Sequence, residues 1–262
     1  MGTLVWDQQG TRLYERGVDK GVLYPRIGDG VAWSGITSVE INPSGGSAKP
    51  YYIDGQKYQN LPGYEEFVAV LKAYTYPDEF AECDGTGRVH SGLFATQQPR
   101  KPFGLSYRTM IGTDNKPEYG YKIHLVYNAM AEPTNRAYNT LGDSNDPLEF
   151  SWQISALPPA TPGFRPTAHL IIDTRSSNPS AVADVEAMLY GTVEDAPRLP
   201  TIAELITVFD AYAILAVTDN GDGTFTVDGP DDAISMLDAS TFQITWPSAI
   251  PIDDDTWQIS SL

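Results

Sequence analysis

The sequence predicts a mainly β protein that ends in a small α+β region. Glycine, proline and tyrosine are frequent, with 23, 20 and 15 copies in 262 residues, and this composition favours strands and turns over a helical bundle. Apolar and polar residues alternate over several stretches between residues 103 and 173, which is typical of strands that cover a core on one side. The chain of 262 residues is long enough for one large domain or two ordinary ones, and its 41% apolar residues are enough to form a buried core.

The N-terminal part opens with a glycine-rich segment, WDQQGTRLYERGVDKGVLY at 6–24. Its apolar side chains are too sparse to form a core, so we expect this segment to lie as an arm on another surface. A β-like run at 33–41 and a turn-rich loop at 42–50 follow. Residues 51–58 predict a hairpin that turns at Asp54-Gly55, with aromatic arms that pack on this domain or on a neighbouring subunit.

A helix is expected at 62–73, before the central strands. Two glutamates in its first turn complement the helix dipole, and Pro77 prevents continuation. The apolar residues of this segment recur at i, i+3, i+4 and i+7 and form one stripe: Phe67, Val70, Leu71 and Tyr74.

Period-two alternation predicts three strands in the middle of the chain, at 105–111, 121–128 and 149–156. A fourth strand, at 168–173, is apolar throughout its middle and is expected to be buried on both faces.

Helix signals mark the region after residue 178. Asn178 can cap a helix, Pro179 fits its first turn and Gly191 can end it. Residues 192–200 hold two prolines and two acidic residues, and they mark the predicted boundary between domains 1–195 and 199–262. The second domain opens on a Thr-x-x-Glu capping box at 201–204.

The rest of the second domain is expected to alternate between strands and one helix. Strands are predicted at 214–217 and 224–227, a short helix at 231–237, and two further strands at 242–246 and 257–260. The order α-β-β-α-β-β predicts a small α+β domain.

Residue patterns for catalysis are nearly absent. The histidines, His90, His124 and His169, lie far apart in the sequence, and none belongs to an HExxH pattern. Cys83 has acidic neighbours, which disfavour its thiolate. We therefore expect neither an enzyme nor a bound cofactor.

Two acidic clusters raise the question of calcium. Residues 218–229 have some features of an EF-hand loop, but Gly229 stands at position 12, where a bidentate Glu is required. We interpret this segment and Asp253–Asp255 as solvated turns between strands, so no metal is expected.

The net charge of −17 is unevenly distributed. Residues 1–150 carry 14 basic and 18 acidic side chains, whereas residues 151–262 carry 3 and 16. This excess favours a solvated surface and disfavours tight binding of nucleic acid, because each phosphate contact needs a Lys or Arg. The lone Cys83, with no secretion signal visible in the first residues, favours folding in a reducing cytoplasm. The longest apolar run, at 211–217, is too short to span a membrane.

Two segments carry a resemblance to a known family. The stretch at 6–24 and the stretch TYPDEFAECDG at 75–85 resemble the major tail protein, or tail tube protein, of long-tailed bacteriophages (siphophages). The resemblance implies a β-sandwich or barrel core of two crossed sheets with a flanking α-helix in residues 1–195. It also implies an additional C-terminal domain, residues 199–262, on the outside of a tube.

The same resemblance implies a structural function without catalysis. Such proteins form hexameric rings that stack head to tail into a hollow tube, and one sheet from each subunit closes into a barrel around the lumen. The implied partners are further copies of the chain, a tape measure protein, tail-tip and terminator proteins, and double-stranded DNA that passes without specific binding. The protein would belong to the virion after assembly in the host cytoplasm.

Candidate functional residues follow from this resemblance. An acidic or neutral lumen would let DNA slide, and the candidates for lining it are Glu149, Ser151, Gln153 and Ser155. The N-terminal arm (1–27) and the long loop (42–60) suit contacts between subunits, and their aromatic candidates are Trp6, Tyr14, Tyr24, Tyr51, Tyr52 and Tyr58.

Two other functional classes stay open. A β-sandwich module that binds carbohydrate or protein fits the Tyr and Trp content, although the lack of disulfides weighs against a secreted module. A hydrolase that uses paired carboxylates, such as Glu65/Glu66 or Asp231/Asp232, has little support. Acidic pairs at helix starts are explained by the helix dipole.

Overall fold

The computed structural model describes residues 4–46, 48–61, 63–136, 138, 140 and 147–212, together with the backbone of short strands between 216 and 259. Strands make up 42% of the structure and helices 13%, so the prediction of a mainly β fold is confirmed. In chain order the strands are β1 (Leu13–Pro25), β2 (Val31–Ala32), β3 (Ile36–Ile41), β4 (Ser44–Gly45), β5 (Lys49–Ile53), β6 (Gln56–Leu61), β7 (Glu65–Glu66), β8 (Val68–Ala73), β9 (Gly87–His90), β10 (Leu93–Ala95), β11 (Phe103–Thr113), β12 (Gly120–Ala131), β13 (Phe150–Ala156), β14 (His169–Asp173), β15 (Ala216–Asp219), β16 (Phe225–Asp228), β17 (Ile234–Asp238), β18 (Thr241–Ile244), β19 (Ala249–Pro251) and β20 (Trp257–Ile259). The helices are α1 (Phe80–Cys83), α2 (Pro179–Tyr190) and α3 (Ile202–Ala211).

One antiparallel sheet of eight strands dominates the fold. Its strands lie in the order β2-β1-β11-β12-β13-β8-β3, and β14 also pairs with β12. The long strand β12 joins two parts of this sheet. On the edge away from β11, its residues 122–126 pair with β14 and its residues 129–131 pair with β13. The first part therefore contains β2, β1, β11 and β14, and the second part contains β13, β8 and β3.

The two parts of the sheet share one hydrophobic core, as in a β-sandwich. Leu23 and Leu105 of the first part belong to the same buried cluster as Leu71 and Trp152 of the second. Phe80 of the short helix α1 lies within this cluster, 5.2 Å from the Trp152 ring, centroid to centroid. Full burial of each such side chain stabilises the fold by roughly 1.5–3 kcal/mol.

The helix expected at 62–73 is wrong, because this segment forms strands β7 and β8. Burial in β8 alternates, with Ala69, Leu71 and Ala73 inside. Ala69 pairs with Ile154 and Ala73 with Phe150, so small residues of β8 stand opposite large residues of β13. A short apolar run fits both a helical and a strand period, and here the β-branched valines and the packing on β13 favour the strand.

The N-terminal segment is an arm only in its first residues. Residues 4–12 lie outside the strands, whereas β1 pairs with β11 over most of its length. The end of β1 is buried in the first unit described below, so the expectation of an arm through residue 27 is wrong for residues 13–25. Register shifts on both sides of Asp19, with Gly17 at a φ of 67°, are bulges between the exposed and buried halves of β1.

Strand β14 lies at an edge instead of being buried on both faces, which corrects the expectation for 168–173. Among the described strands its partner is β12. Ile172 is buried, but Ile171 on the opposite side of the strand is half exposed.

The helix caps predicted near the C-terminal part are confirmed. The amide of Ser180 donates to Asn178 Oδ1 at 2.9 Å at the start of α2, and Gly191 follows the last residue of this helix with a φ of 79°. Thr201 and Glu204 form both hydrogen bonds of the capping box at the start of α3.

Contacts divide the chain into two compact units. The first comprises Met1–Arg175 and Ala187–Leu199, and the second comprises Ser176–Glu186 and Pro200–Leu262. The described strands of the second unit form the hairpins β15–β16, β17–β18 and β19–β20. The helix expected at 231–237 is wrong from Ile234 onward, because backbone pairing with β18 makes this stretch strand β17. The centres of both calcium candidates, at 220–224 and 253–255, lie outside the described residues. The predicted domain boundary stays a prediction.

Candidate functional site

The four predicted lumen residues follow one side of strand β13. Glu149, directly before the strand, and Gln153 are exposed, while Ser151 and Ser155 are half-buried. The intervening residues Trp152 and Ile154 are fully buried. Alternation along the strand therefore places the four candidates on the side away from the core.

Neighbouring strands extend this polar side, here called the open face. In the strand register, Lys72 of β8 lies opposite Ser151 and Val70 lies opposite Gln153. Glu40 of β3 lies opposite Val70. Lys72 Nζ donates to Glu40 Oε1 at 2.6 Å, and this bond raises the pKa of Lys72. The cation of the open face is therefore held by a carboxylate of the adjacent strand.

Two further hydrogen bonds hold acidic side chains at the rim of the open face. Thr37 Oγ1 donates to Glu149 Oε1 at 2.6 Å, and Gln153 Nε2 donates to Glu132 Oε2 at 2.9 Å. With Glu40, these glutamates outnumber Lys72 by three to one. The arrangement repels a polyanion weakly within a Debye length of about 8 Å.

The predicted hairpin at 51–58 is confirmed as β5–β6, a two-stranded sheet separate from the main sheet. It carries large apolar side chains that are 52–71% exposed: Tyr51, Tyr52, Ile53 and Tyr58. An isolated two-stranded hairpin is marginally stable at best in water. This aromatic hairpin therefore presents a surface that another molecule can cover.

The other aromatic candidates divide into two groups. Trp6, 75% exposed, and the half-exposed Tyr14 lie on the outside of the N-terminal segment. Tyr24 is buried, its hydroxyl lies 3.0 Å from Ser106 Oγ and donates to the Leu189 carbonyl, and burial raises its pKa. Tyr24 is a core residue of this chain, which removes it from the contact candidates. The consecutive apolar residues 22–24 were the signal for this burial.

Arg108 and Lys122 also lie on polar sides of strands, but in the first part of the sheet. Arg108 makes a bidentate pair with Asp19, at 2.9 and 2.8 Å, and Lys122 Nζ donates to Glu15 Oε2 at 2.6 Å. Both cations are therefore paired with carboxylates of β1.

Two histidines that are distant in the sequence are neighbours in the fold. His124 Nδ1 of β12 lies 3.1 Å from His169 Nε2 of β14, because Val126 and His169 are paired in the strand register. No local sequence pattern predicts this pair, since its formation depends on the register of two strands. His90 is exposed and lies in β9.

Chemical features of an enzyme do not converge in the part of the chain that the structure describes. Burial, followed by the charge of Glu82, raises the pKa of the Cys83 thiol to about 11, which confirms the expectation of a disfavoured thiolate. No group of three or more His, Cys, Asp or Glu residues suited to a metal occurs among the described residues. None of the described helices has the length and apolar character needed to cross a membrane.

Comparisons with known proteins give remote structural likenesses. No protein-family model matches the sequence, and no curated protein matches it. A chain of the sheath–tube complex of an extracellular contractile injection system (PVC, extended state) is 12% identical, with 59% of this chain and 89% of that chain covered and a TM-score of 0.34. Chains of the anti-feeding prophage tube-terminating cap and baseplate are 13% and 10% identical. Each likeness covers 66% of this chain and 97% of that chain, with a TM-score of 0.33. Likenesses of this size do not establish a shared function.

Proposed function

We propose that this chain is a structural subunit of a phage-type tail tube, in which hexameric rings stack head to tail around a channel for DNA. The subunit is not an enzyme, and it takes no cofactor. Its partners are further copies of the chain, a tape measure protein, and the proteins that start and end the tube. The second domain, 199–262, lies on the tube exterior.

The aromatic hairpin β5–β6 carries this proposal. It buries little of its own apolar surface, and its tyrosines and isoleucine project from a two-stranded sheet that the main sheet does not extend. Exposed apolar patches of this kind mark surfaces for protein contacts. A neighbouring subunit in the same or the next ring supplies the cover.

Free sheet edges support ring formation. Among the described strands, β3 lies at one end of the main sheet and pairs on one side with β8, and β14 pairs on one side with β12. A closed ring needs heterologous contacts between two different surfaces of each subunit, and it removes unpaired edges from water. The open face, with three carboxylates around one paired lysine, suits the wall of a channel through which DNA slides.

Electron microscopy of the concentrated, purified full chain tests the proposal. We expect stacked rings or hollow tubes in negative stain. The double variant Tyr52→Ser/Tyr58→Ser should keep the circular dichroism spectrum of the wild type and lose assembly. Tyr119→Ser, which changes an exposed tyrosine in the turn between β11 and β12, is the matched control and should assemble.

A monomer that persists after tail-tip components are added would contradict the tube. Binding to a glycan array by that monomer would then identify the chain as a carbohydrate-binding β-sandwich. Tubes formed equally well by the hairpin variant would place the subunit contacts elsewhere.

A further inference from the structure

A directed chain of hydrogen bonds crosses four adjacent strands of the main sheet. Thr109 Oγ1 of β11 donates its one proton to Glu15 Oε1 of β1 at 2.5 Å. Thr109 Oγ1 also lies 3.0 Å from His124 Nε2 of β12, so this nitrogen must carry a proton and donate. His124 Nδ1 is then an acceptor, and His169 Nε2 of β14 donates to it across 3.1 Å. The chain requires an ionised Glu15 and fixes the tautomer of each imidazole.

Charged and aromatic side chains contact the members of this network. Lys122 Nζ of β12 donates to Glu15 Oε2 at 2.6 Å. The Tyr107 ring of β11 stacks on His124 with centroids 4.6 Å apart, and the Phe67 ring lies 5.2 Å from that of His169. On β14, Asp173 pairs with Lys122 in the strand register and accepts from Arg175. Of these charged groups, Glu15 and Lys122 act on His124, with one charge of each sign.

Acid acts on the histidine pair in two steps. One added proton is tolerated, because an imidazolium and a neutral imidazole still place one N–H between the two nitrogens. A second proton puts an N–H on both nitrogens at 3.1 Å and leaves no acceptor. Burial, followed by the charge of His124, lowers the pKa of His169 to about 4, so the doubly charged pair forms only well below neutral pH.

Strand β14 is the element that this repulsion acts on most directly. It pairs with β12 over five residues, at an edge of the sheet. By contrast, β12 is held between β11 on one side and β13 and β14 on the other. Local opening starts at elements with the fewest supporting contacts.

We propose that the hydrogen-bond chain from His169 to Glu15 is an acid-sensitive latch, which holds β14 on the sheet at neutral pH and releases it when both histidines are charged. The latch is a property of the folded subunit, so it stands whether or not the subunit builds a tube. In an assembly it would expose the unpaired edge of β12 in acid.

Amide hydrogen exchange of the full chain, corrected for the intrinsic pH dependence of exchange, tests the latch. Between pH 7 and pH 4, we expect protection of residues 169–173 to fall by roughly one to two orders of magnitude relative to residues 105–109. His169→Gln keeps a donor to His124 but cannot gain a charge, so its β14 should stay protected at pH 4. His90→Gln removes the exposed histidine of β9 and should behave as the wild type.

A second measurement on the wild type covers the case in which the His169 variant fails to fold. Proton NMR of the imidazoles should show the pair titrating in two steps, with the lower step near pH 4. Titration of both groups together near 6.5 would overturn the proposal. So would equal loss of β14 protection in His169→Gln and the wild type, or full protection of the wild type at pH 4.

Discussion

Asp84 and Arg136 form an ion pair whose two sides differ in burial. The side chain of Asp84 is 6% exposed, whereas that of Arg136 is 31% exposed and also lies against the Phe150 ring. The arginine therefore serves to compensate a carboxylate that has little access to water. It ties the segment after β12 to the end of α1.

Loss of this arginine should be costly. Arg136→Ala leaves a buried carboxylate without its partner, and we expect the free energy of unfolding to fall by about 3 kcal/mol in urea denaturation. The matched control is Lys101→Ala, which breaks a pair with Glu82 in which both side chains are more than half exposed. That change should cost less than about 1 kcal/mol. Equal losses for the two variants would mean that Asp84 is solvated in the folded state.

The histidine pair gives the stability of the molecule a pH dependence. Because the pKa of His169 is lowered from 6.5 to about 4, the unfolded chain binds its proton more readily than the folded chain. The contribution is complete above about pH 6.5 and is lost as the pH falls toward 4, by up to on the order of 3 kcal/mol. Glu15 and Asp173, whose pKa values are lowered, add losses of the same sign at lower pH.

Urea denaturation at pH 7, 5 and 4 checks this dependence. The wild type and His90→Gln should lose stability in parallel. His169→Gln should lose less between pH 6.5 and 4, because its remaining losses come from His124, whose pKa is lowered by burial, and from the carboxylates. Parallel curves for wild type and His169→Gln would show that the imidazole of His169 titrates normally.

The base of the aromatic hairpin, where β4 pairs with β7, contains a glycine that a larger residue cannot replace without a clash. Gly45 of β4 has a φ of 78°, and a Cβ at this position would lie 2.5 Å from the carbonyl oxygen of Tyr64. Gly55 at the tip has a φ of 73°, but its Cβ would meet nothing within 4 Å. Both positions favour glycine by conformation, and the backbone clash is specific to Gly45.

Gly45→Ala should therefore loosen the hairpin where Gly55→Ala does not. Limited trypsin digestion measures this loosening, since Lys57 lies in strand β6 of the hairpin and is followed by a bond that trypsin can cleave. We expect cleavage of Gly45→Ala to be several-fold faster than that of Gly55→Ala, with an unchanged main sheet by circular dichroism. Identical digestion of the two variants would show that β4 and β7 do not support the hairpin.

Local sequence patterns correctly predicted the elements whose conformation does not depend on which strand they pair with. Alternation located β11, β12 and β13, and the capping residues Asn178, Thr201 and Glu204 located two helix starts. The run at 62–73 fitted a helical stripe as well as a strand, and its pairing with β13 and β3 favours the strand. The contact of His124 with His169, which are 45 residues apart, is fixed by strand register and leaves no local pattern.

For the candidate surfaces, too, local sequence predicted the elements but not the side chains that other strands contribute. The aromatic content and the Asp54-Gly55 turn predicted the hairpin, and alternation predicted the outward side of β13. The partners Glu40, Lys72 and Glu132 come from other strands or from the segment after β12, so the sequence could not assign them to the open face.

In the proposed tube, the charge of the open face would decide how strongly the channel wall binds DNA. Glu149→Lys changes the local charge by two units and frees Thr37 from its acceptor. Tubes of this variant should form normally but retain DNA, because each subunit of a ring gains a lysine that can neutralise phosphate. Genome delivery should be slower and DNA binding by purified tubes stronger, with the binding suppressed at high salt.

Glu118→Lys makes the same change of charge on an exposed residue of the β11–β12 turn and serves as the control. It should leave DNA binding and delivery near wild type. Normal infectivity of Glu149→Lys would remove this residue from the channel wall.

In the proposed tube, the exposed hairpin would also affect how assembly begins. If a neighbouring subunit covers the aromatic hairpin, burial of its side chains stabilises a subunit that joins the end of a growing tube. The same side chains contribute no such stability to a subunit in solution. Growth from such subunits has a critical concentration, and it starts after a lag unless a template offers the first cover. The tail tip would then act as a nucleus, and light scattering would show the lag vanish when that nucleus is added.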